Sequence, residues 1–517
     1  MNSIARKLEE KFPLTDTLSD EEQEAALGLV IKNGITAQGM VTFTTGIFLA
    51  DFALRLGASN FHIGLLSATR IFCQTLQIPA VYLVERLRNR RGVCVYSAFV
   101  SRFMVLVIAL IPFFFDLKTG LYVLFLAIIL KAIFASIVGC SWNSWMKDMV
   151  PHDRLGQFFG KRLFYTTLLG MVLTLGAGLF IDWWMKTFPQ ATLQGYSLLY
   201  LVGFFSGMLG VYYMSITPEP RIKLEGEHGI LTTLKRPFEN QNYRNLLIFS
   251  MYWNFAVNLA APFFTVFLLK RLEMSMFFVV VLSVLSQLAN LMFFRIWGNF
   301  ADRFSNKAVI AISGVLYILT TLAWTYTTFP EKHFLTIPLL VLIHLMLGIS
   351  SAGVTLATGN IGLKLAPQGG STSFMASLNF VNSLSAGLGP FVGGLLAEAC
   401  SQWKFSWDIT WGSAGSDFHF PVLSLSQLDF LFFFSFFIGL YGLRRLAHVK
   451  EAGKIEDSID VTDLIAEVLV EMRAMSTMGG LRYLGRLPIV LIFEVFKLRL
   501  PKSSNGQNTP SSQEKIL

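Results

Sequence analysis

The chain has 517 residues, of which 53% are hydrophobic and only 15% charged, and its mean hydropathy is +0.55. A soluble protein of this length needs roughly a quarter of its residues charged to keep its surface wet, so much of this surface must face lipid, as runs such as Phe113-Phe114-Phe115 and Phe432-Phe433-Phe434 suggest. The net charge of +9 reads as basic loops beside an anionic cytoplasmic leaflet and not as a nucleic-acid surface, while Cys73, Cys94, Cys140 and Cys400 make neither a disulfide framework nor a metal cluster.

In chain order, residues 1–33 carry Glu9, Glu10, Asp16, Asp20, Glu21, Glu22 and Glu24, unlike a signal peptide. They read as a cytoplasmic N-terminal segment. A membrane-crossing helix needs about 20 mainly apolar residues. Twelve such segments are expected near 34–56, 63–84, 92–115, 120–142, 163–181, 196–215, 245–269, 276–297, 308–328, 335–362, 374–396 and 427–447. They form an all-α membrane protein of two six-helix bundles, 34–215 and 245–449, joined by a cytoplasmic loop over 216–244. Trp142 and Trp145, and Trp183 and Trp184 at the other face, fit aromatic belts. Between the last two crossings, Trp403, Phe405, Trp407, Ile409 and Trp411 alternate with polar residues, and Trp403, Trp407 and Trp411 also recur every four residues. Strand and interfacial helix both remain open there, and the segment is expected to lie on the membrane surface or to act as a lid. The tail, 450–517, contains an amphipathic helical pattern through Ile465, Val468, Leu469, Met472 and Met475. A short apolar stretch from Pro488 to Leu500 and a polar end follow.

Lys and Arg concentrate in the connections on one side: Arg86, Arg88, Arg90 and Arg91; Lys147, Arg154, Lys161 and Arg162; Arg221 to Arg244; Arg303 and Lys307; and Arg444, Arg445 and Lys450. The positive-inside rule puts this side and both termini in the cytoplasm. The halves also repeat each other. Asn143 and Asn360, Lys147 and Lys364, and Glu85-Arg86 and Asp302-Arg303 all share one sequence offset. Internal duplication of this kind marks transporters whose halves rock about a midplane site.

Gly298-Asn299-Phe300-Ala301-Asp302-Arg303-Phe304-Ser305-Asn306-Lys307 is similar to the signature of the major facilitator superfamily. Its first-half counterpart, Glu85 to Arg91, is degraded, with Val81 where Gly is expected. The segment from Pro151 to Gly156, followed by Arg162, resembles that family's loop after the fourth helix. The resemblance implies twelve helices and transport by alternating access. It also implies a cytoplasmic gate drawn from Gly298, Asp302, Arg303, Glu85, Arg86, Asp148, Arg154 and Arg162. Gly387-Leu388-Gly389-Pro390-Phe391-Val392-Gly393-Gly394 looks like a proton-antiporter motif. It falls in the eleventh segment, not the fifth, and is read as close helix packing through small residues.

Ionisable residues inside a crossing are costly and therefore mark candidate sites. The first, fourth, seventh and tenth helices line the cavity in the superfamily. By that carry-over Lys131, Asn254, Asn258 and His344, with Arg102 beside them, are candidate solute-binding residues. Asp51, Arg55 and Arg70 are candidates for proton coupling or an ion pair, and Asp51 and Arg70, at nearly the same depth, are expected to pair. Lys131 and Arg102 without a nearby acid favour an anionic or zwitterionic solute. The expected function is a monomeric secondary transporter in a bacterial inner membrane, moving a small solute and coupled to protons or another ion. The alternatives are a proton-coupled exporter of amphipathic compounds and a transporter-derived scaffold or receptor. No enzyme, metal or cofactor signature is present, and the absence of a phosphate-binding Gly-Lys-Ser/Thr loop argues against an ATP-driven pump.

Overall fold

The computed structural model describes residues 8–15, 19–151, 155–221, 237–328, 331–366, 371–413 and 416–451. Residues 8–451 fall within one compact unit. The helices expected in the tail, Arg154 and most of the central loop lie outside the described residues.

The first crossing is broken. Helix α1 (Asp20–Thr44) stops where Thr45 turns extended and Gly46 takes φ +63° and ψ −131°, and α2 (Ile47–Arg55) resumes. Only glycine reaches that backbone region without strain. The second crossing is likewise split into α3 (Asn60–Gln74) and α4 (Gln77–Leu87). Single helices follow: α5 (Arg90–Phe114), α6 (Leu117–Met149), α7 (Leu155–Thr187) and α8 (Thr192–Ile216) complete the first half. The second half contains α9 (Gln241–Val266), which ends in a wider turn over Phe267–Arg271, then α10 (Met276–Arg303), α11 (Asn306–Ala323), α12 (Thr336–Leu365), α13 (Ser371–Ala399) and α14 (Asp429–Leu446).

Among the described residues, ten helical segments are long and apolar enough to cross a membrane. The split α3–α4 pair, and α14 with its Asp429, Arg444 and Arg445, add crossings consistent with the twelve expected. Phe113, Phe114, Leu126, Leu163, Val202, Phe205 and Leu291 lie exposed on the helices' outer faces, as a lipid-facing bundle requires.

The first helix starts at Asp20, inside the segment expected to precede the membrane. Ser19 and Glu22 form a capping box there. Ala26, Leu27 and Val30 then bury into a cluster with Cys94, Trp145, Met146 and Met149. Trp145 is therefore a core residue, its indole donating to the Pro218 carbonyl at 3.1 Å, and not part of an aromatic belt.

Between α13 and α14 the chain forms an antiparallel hairpin, β1 (Lys404–Ser413) and β2 (Ser416–Ser426), with a bulge opposite Trp407/Asp408. Of the two readings left open by the sequence, the strand is realised. Phe405, Trp407, Ile409 and Trp411 are all exposed, and Trp403 meets the ring of Phe430 at 5.8 Å where the ribbon joins α14.

Candidate functional site

The two halves meet mainly at the end remote from the termini. There α3 packs along α13 and α7 along α10, with α2 and α3 touching α9. One continuous core joins Phe48, Phe52, Ile63 and Leu66 of the first half to Phe263, Phe267, Val279 and Val280 of the second. Small residues permit this seam. A methyl on Gly64 would lie 2.3 Å from the Pro390 carbonyl oxygen, and one on Gly394 would meet Phe61 at 3.1 Å. On the other side of α13, Gly389 and Gly393 pack against the α9 backbone at Phe255 and Leu259. The glycine-rich stretch of α13 is thus a packing surface pressed between two helices. A second seam is polar. The carboxylate of Asp182, near the end of α7, accepts the first two backbone N–H groups of α10, at Met276 and Phe277, both at 3.0 Å. Among the described residues the proximal segments α1 and α4 make no comparable contact with the second half. The crevice between the halves therefore opens toward the termini.

Near mid-depth on the first-half side, the Lys131 ammonium donates to Thr44 Oγ1 at 3.0 Å, beside the break in the first crossing. Arg70 of α3 is exposed, forms no hydrogen bond or ion pair among the described residues, and lies within electrostatic reach of Lys131. An exposed arginine at this depth belongs to a wet crevice and not to lipid. The expected Asp51–Arg70 pair does not form. Asp51 Oδ2 instead accepts from Arg55 Nε at 2.8 Å and from the Tyr196 hydroxyl, because Arg55 lies one helical turn away on the same face. Arg102 is buried and spends its donors on the carbonyls of Gly207 and Ala98, each at 3.2 Å. It lines a helix seam and reaches neither Asp51 nor the crevice.

On the second-half side, Asn254 bonds Asn382 of α13 across the α9–α13 seam at 3.0 Å, while Asn258 returns its amide to the Asn254 carbonyl within α9 at 2.8 Å. His344 lines an open cavity of about 380 Å³ between α9, α10 and α12. Its Nδ1 donates to the Leu340 carbonyl at 2.8 Å and its ring meets Trp324 edge-on. The α10 wall is Ser283, Ser286, Gln287 and Asn290. These residues escaped the sequence reading, which weighed charges on expected cavity helices. The available signal was polar residues at i, i+3, i+4 and i+7 in an otherwise apolar helix.

The gate residues behave differently from expectation. Asp148 pairs with Arg90 of its own half. Arg90 is fully buried and also bonds Glu219 through Nε at 2.9 Å, while the same carboxylate accepts the backbone N–H groups of Arg90 and Arg91 at 2.8 Å. The second half repeats the device. Glu451 accepts from the Lys307 backbone at 2.9 Å, from Asn306 Nδ2 at 2.8 Å and from Lys364 Nζ at 3.0 Å. In each half an acid beyond the sixth helix caps the start of the third. Arg162 stacks on Trp142 at 4.7 Å and Arg303 on Phe304 at 5.4 Å. Arg86 and Asp302 are engaged, and Gly298 has open space beside it. The Glu85 side chain and Arg154 lie outside the described residues.

A family model, the Major Facilitator Superfamily, matches residues 34–407. The chain belongs to the Major Facilitator Superfamily. No curated protein matches the sequence. Solved structures share this superfamily fold. A mutant of the nucleoside transporter NupG is similar with a TM-score of 0.64 at 15% identity, covering 83% of this chain and 100% of that one. A bacterial homologue of the iron transporter ferroportin, in an inward-facing state, gives 0.58 at 12%, covering 83% and 99%. A bacterial homologue of the human lysosomal transporter Spinster, also inward-facing, gives 0.54 at 14%, covering 84% and 95%. At these identities the likeness shows the superfamily fold alone.

Proposed function

We propose that this superfamily member is a secondary carrier of a small anionic or zwitterionic solute, working by alternating access, with the solute bound at mid-depth between the halves. The observation that carries the reading is the pair of cations, Lys131 and Arg70, beside a crevice sealed at one end and open at the other. Positive charge lining such a crevice favours an anionic group without requiring an acid from the protein. The positive-inside pattern supports placing the termini, and so the open end, in the cytoplasm. The solved relatives include proteins described as transporters of nucleosides, metals and iron, so the fold leaves the solute class open. A proton-coupled exporter would need an acid free in the crevice. Asp51, held by Arg55 and Tyr196, is better suited to bracing the distal end of the first half.

The test is a thermal-shift screen of solutes on purified protein, since a ligand that prefers the folded state raises its melting temperature. Anionic or zwitterionic solutes should stabilise the wild type, and Lys131→Ala should abolish the shift by the best of them. An undiminished shift in that variant removes Lys131 from the site.

A further inference from the structure

The second-half cavity is electrically neutral where the first-half wall is cationic. Of its four wall hydroxyls, Ser351 donates to the Gly348 carbonyl at 3.1 Å, and the other three differ from hydroxyls bonded within their own helices. Thr44, Thr69, Ser313 and Thr320 each return their hydroxyl to the carbonyl one turn back in their own helix, at 2.6–2.8 Å. Thr265, Ser283 and Ser286, all in the cavity wall, make no side-chain hydrogen bond among the described residues. Their donors and lone pairs remain available to the cavity.

The amides and the imidazole next to them are oriented as acceptors. Asn290 commits Nδ2 to the Ser351 hydroxyl at 2.9 Å and the Gly348 carbonyl at 3.3 Å, which leaves Oδ1 uncommitted. Gln287 makes one long bond through Nε2, 3.4 Å to the Ser283 carbonyl, and keeps Oε1. His344 must carry its proton on Nδ1, because the Leu340 carbonyl can only accept, so Nε2 of the neutral ring is an acceptor too. Three acceptors beside three unbonded hydroxyls call for a ligand rich in O–H groups that both donate and accept. The volume, about 380 Å³, lies within the ~300–1,000 Å³ of small-molecule sites.

We infer that the cavity between α9, α10 and α12 binds a polyhydroxylated ring, and that the solute is an anion carrying such a ring, with its charge toward Lys131 and Arg70. The inference rests on the carrier reading above and adds the chemistry of the uncharged part. Sugar acids, sugar phosphates and nucleotides share that chemistry, while simple carboxylates lack it.

The experiment is a thermal-shift titration of the full chain with D-glucuronate, glucose 6-phosphate, uridine 5′-monophosphate, D-glucose and glutarate. The proteins compared are wild type, Asn290→Ala, Gln287→Ala and Lys131→Ala. At least one hydroxylated anion should stabilise the wild type, and which one does so separates a sugar from a nucleotide. Both cavity variants should weaken its apparent affinity by roughly tenfold, the effect of losing a hydrogen bond to the ligand. Two variants are used, with Gln287 exposed, so that a folding defect in one does not decide the result. Glutarate should be inert. Stabilisation by glutarate alone, no stabilisation by any hydroxylated probe, or full affinity in both cavity variants would overturn the inference. If glucose matches glucuronate and only the cavity variants matter, the hydroxylated ring stands and the anionic part of the proposed function falls.

Discussion

Glu451 joins two helices of the second half through one carboxylate, accepting from Asn306 and Lys307 at the start of α11 and from Lys364 at the end of α12. Burial pushes this carboxyl up, but the hydrogen bonds from Asn306, Lys307 and Lys364 outweigh it and hold it below its ordinary value of 4.5. A depressed carboxyl contributes stability that is complete above the ordinary value and is lost as pH falls through the lower folded value. Glu451→Gln should therefore melt below the wild type at pH 7, and the difference should shrink as the pH falls below about 4.5. Calorimetry or a dye-free melting curve across that range checks the sign, and a constant difference would exclude the titration. At this scale the sequence revealed which residues were out of place in lipid, but not their partners. Asp51 was legible as a buried acid, yet its choice of Arg55 and Tyr196 over Arg70 depends on rotation about the helix axis and on a residue 145 positions away. Glu219 and Glu451 were invisible as a pair because each lies in an irregular segment after a helix, where no periodicity marks it.

The helix α13 shows how much of an element can be read in advance. Its glycines announced close packing, and the packing is there, against α3 on one side and α9 on the other. What the sequence withheld was the identity of those neighbours. Gly64 of α3 carries a strong prediction. A side chain there meets the Pro390 carbonyl at 2.3 Å and the Gly394 Cα at 2.8 Å, backbone atoms that cannot swing aside. Gly64→Val should prevent the distal seam from closing and raise the labelling rate of a cysteine introduced beside it at Phe61. Gly176→Ala, which meets nothing within 4 Å, should leave the rate unchanged. Equal rates in both variants would mean that the seam does not need this contact. The break at Gly46 and the β1–β2 hairpin were illegible for related reasons. A single glycine in an apolar run does not state its φ, and the tryptophans at 403, 407 and 411 satisfy a strand and a helix equally well.

For the molecule as a whole, the balance between states rests on the distal contacts between halves. Among the described residues Asp182 is a stronger polar contributor than Glu398, which accepts the Phe61 N–H at 3.5 Å against 3.0 Å for both Asp182 bonds. A carboxylate capping a helix start is worth about 1 kcal/mol, so Asp182→Ala should shift the population away from the distally closed state by about fivefold. Pulsed spin-label distances between the distal ends of α7 and α10 would show a longer component growing in. An unchanged distribution would mean that the α3–α13 packing sets the state alone. The same variant should leave the Glu219 and Glu451 caps untouched, since they lie within single halves.

By itself the sequence determined that the chain lives in a bilayer, roughly where its crossings fall, that it is duplicated and which superfamily it joins. The last rests on a motif's resemblance; the others follow from local composition and spacing, which lipid enforces residue by residue by refusing charge and unbonded backbone. Only the tertiary structure decided which end of the crevice is sealed, which charges face it, and that a neutral hydroxyl-lined cavity stands in the second half. Those depend on how many similar apolar cylinders rotate and pair. In lipid that choice turns on small differences in packing and on a few polar contacts between residues far apart in the chain.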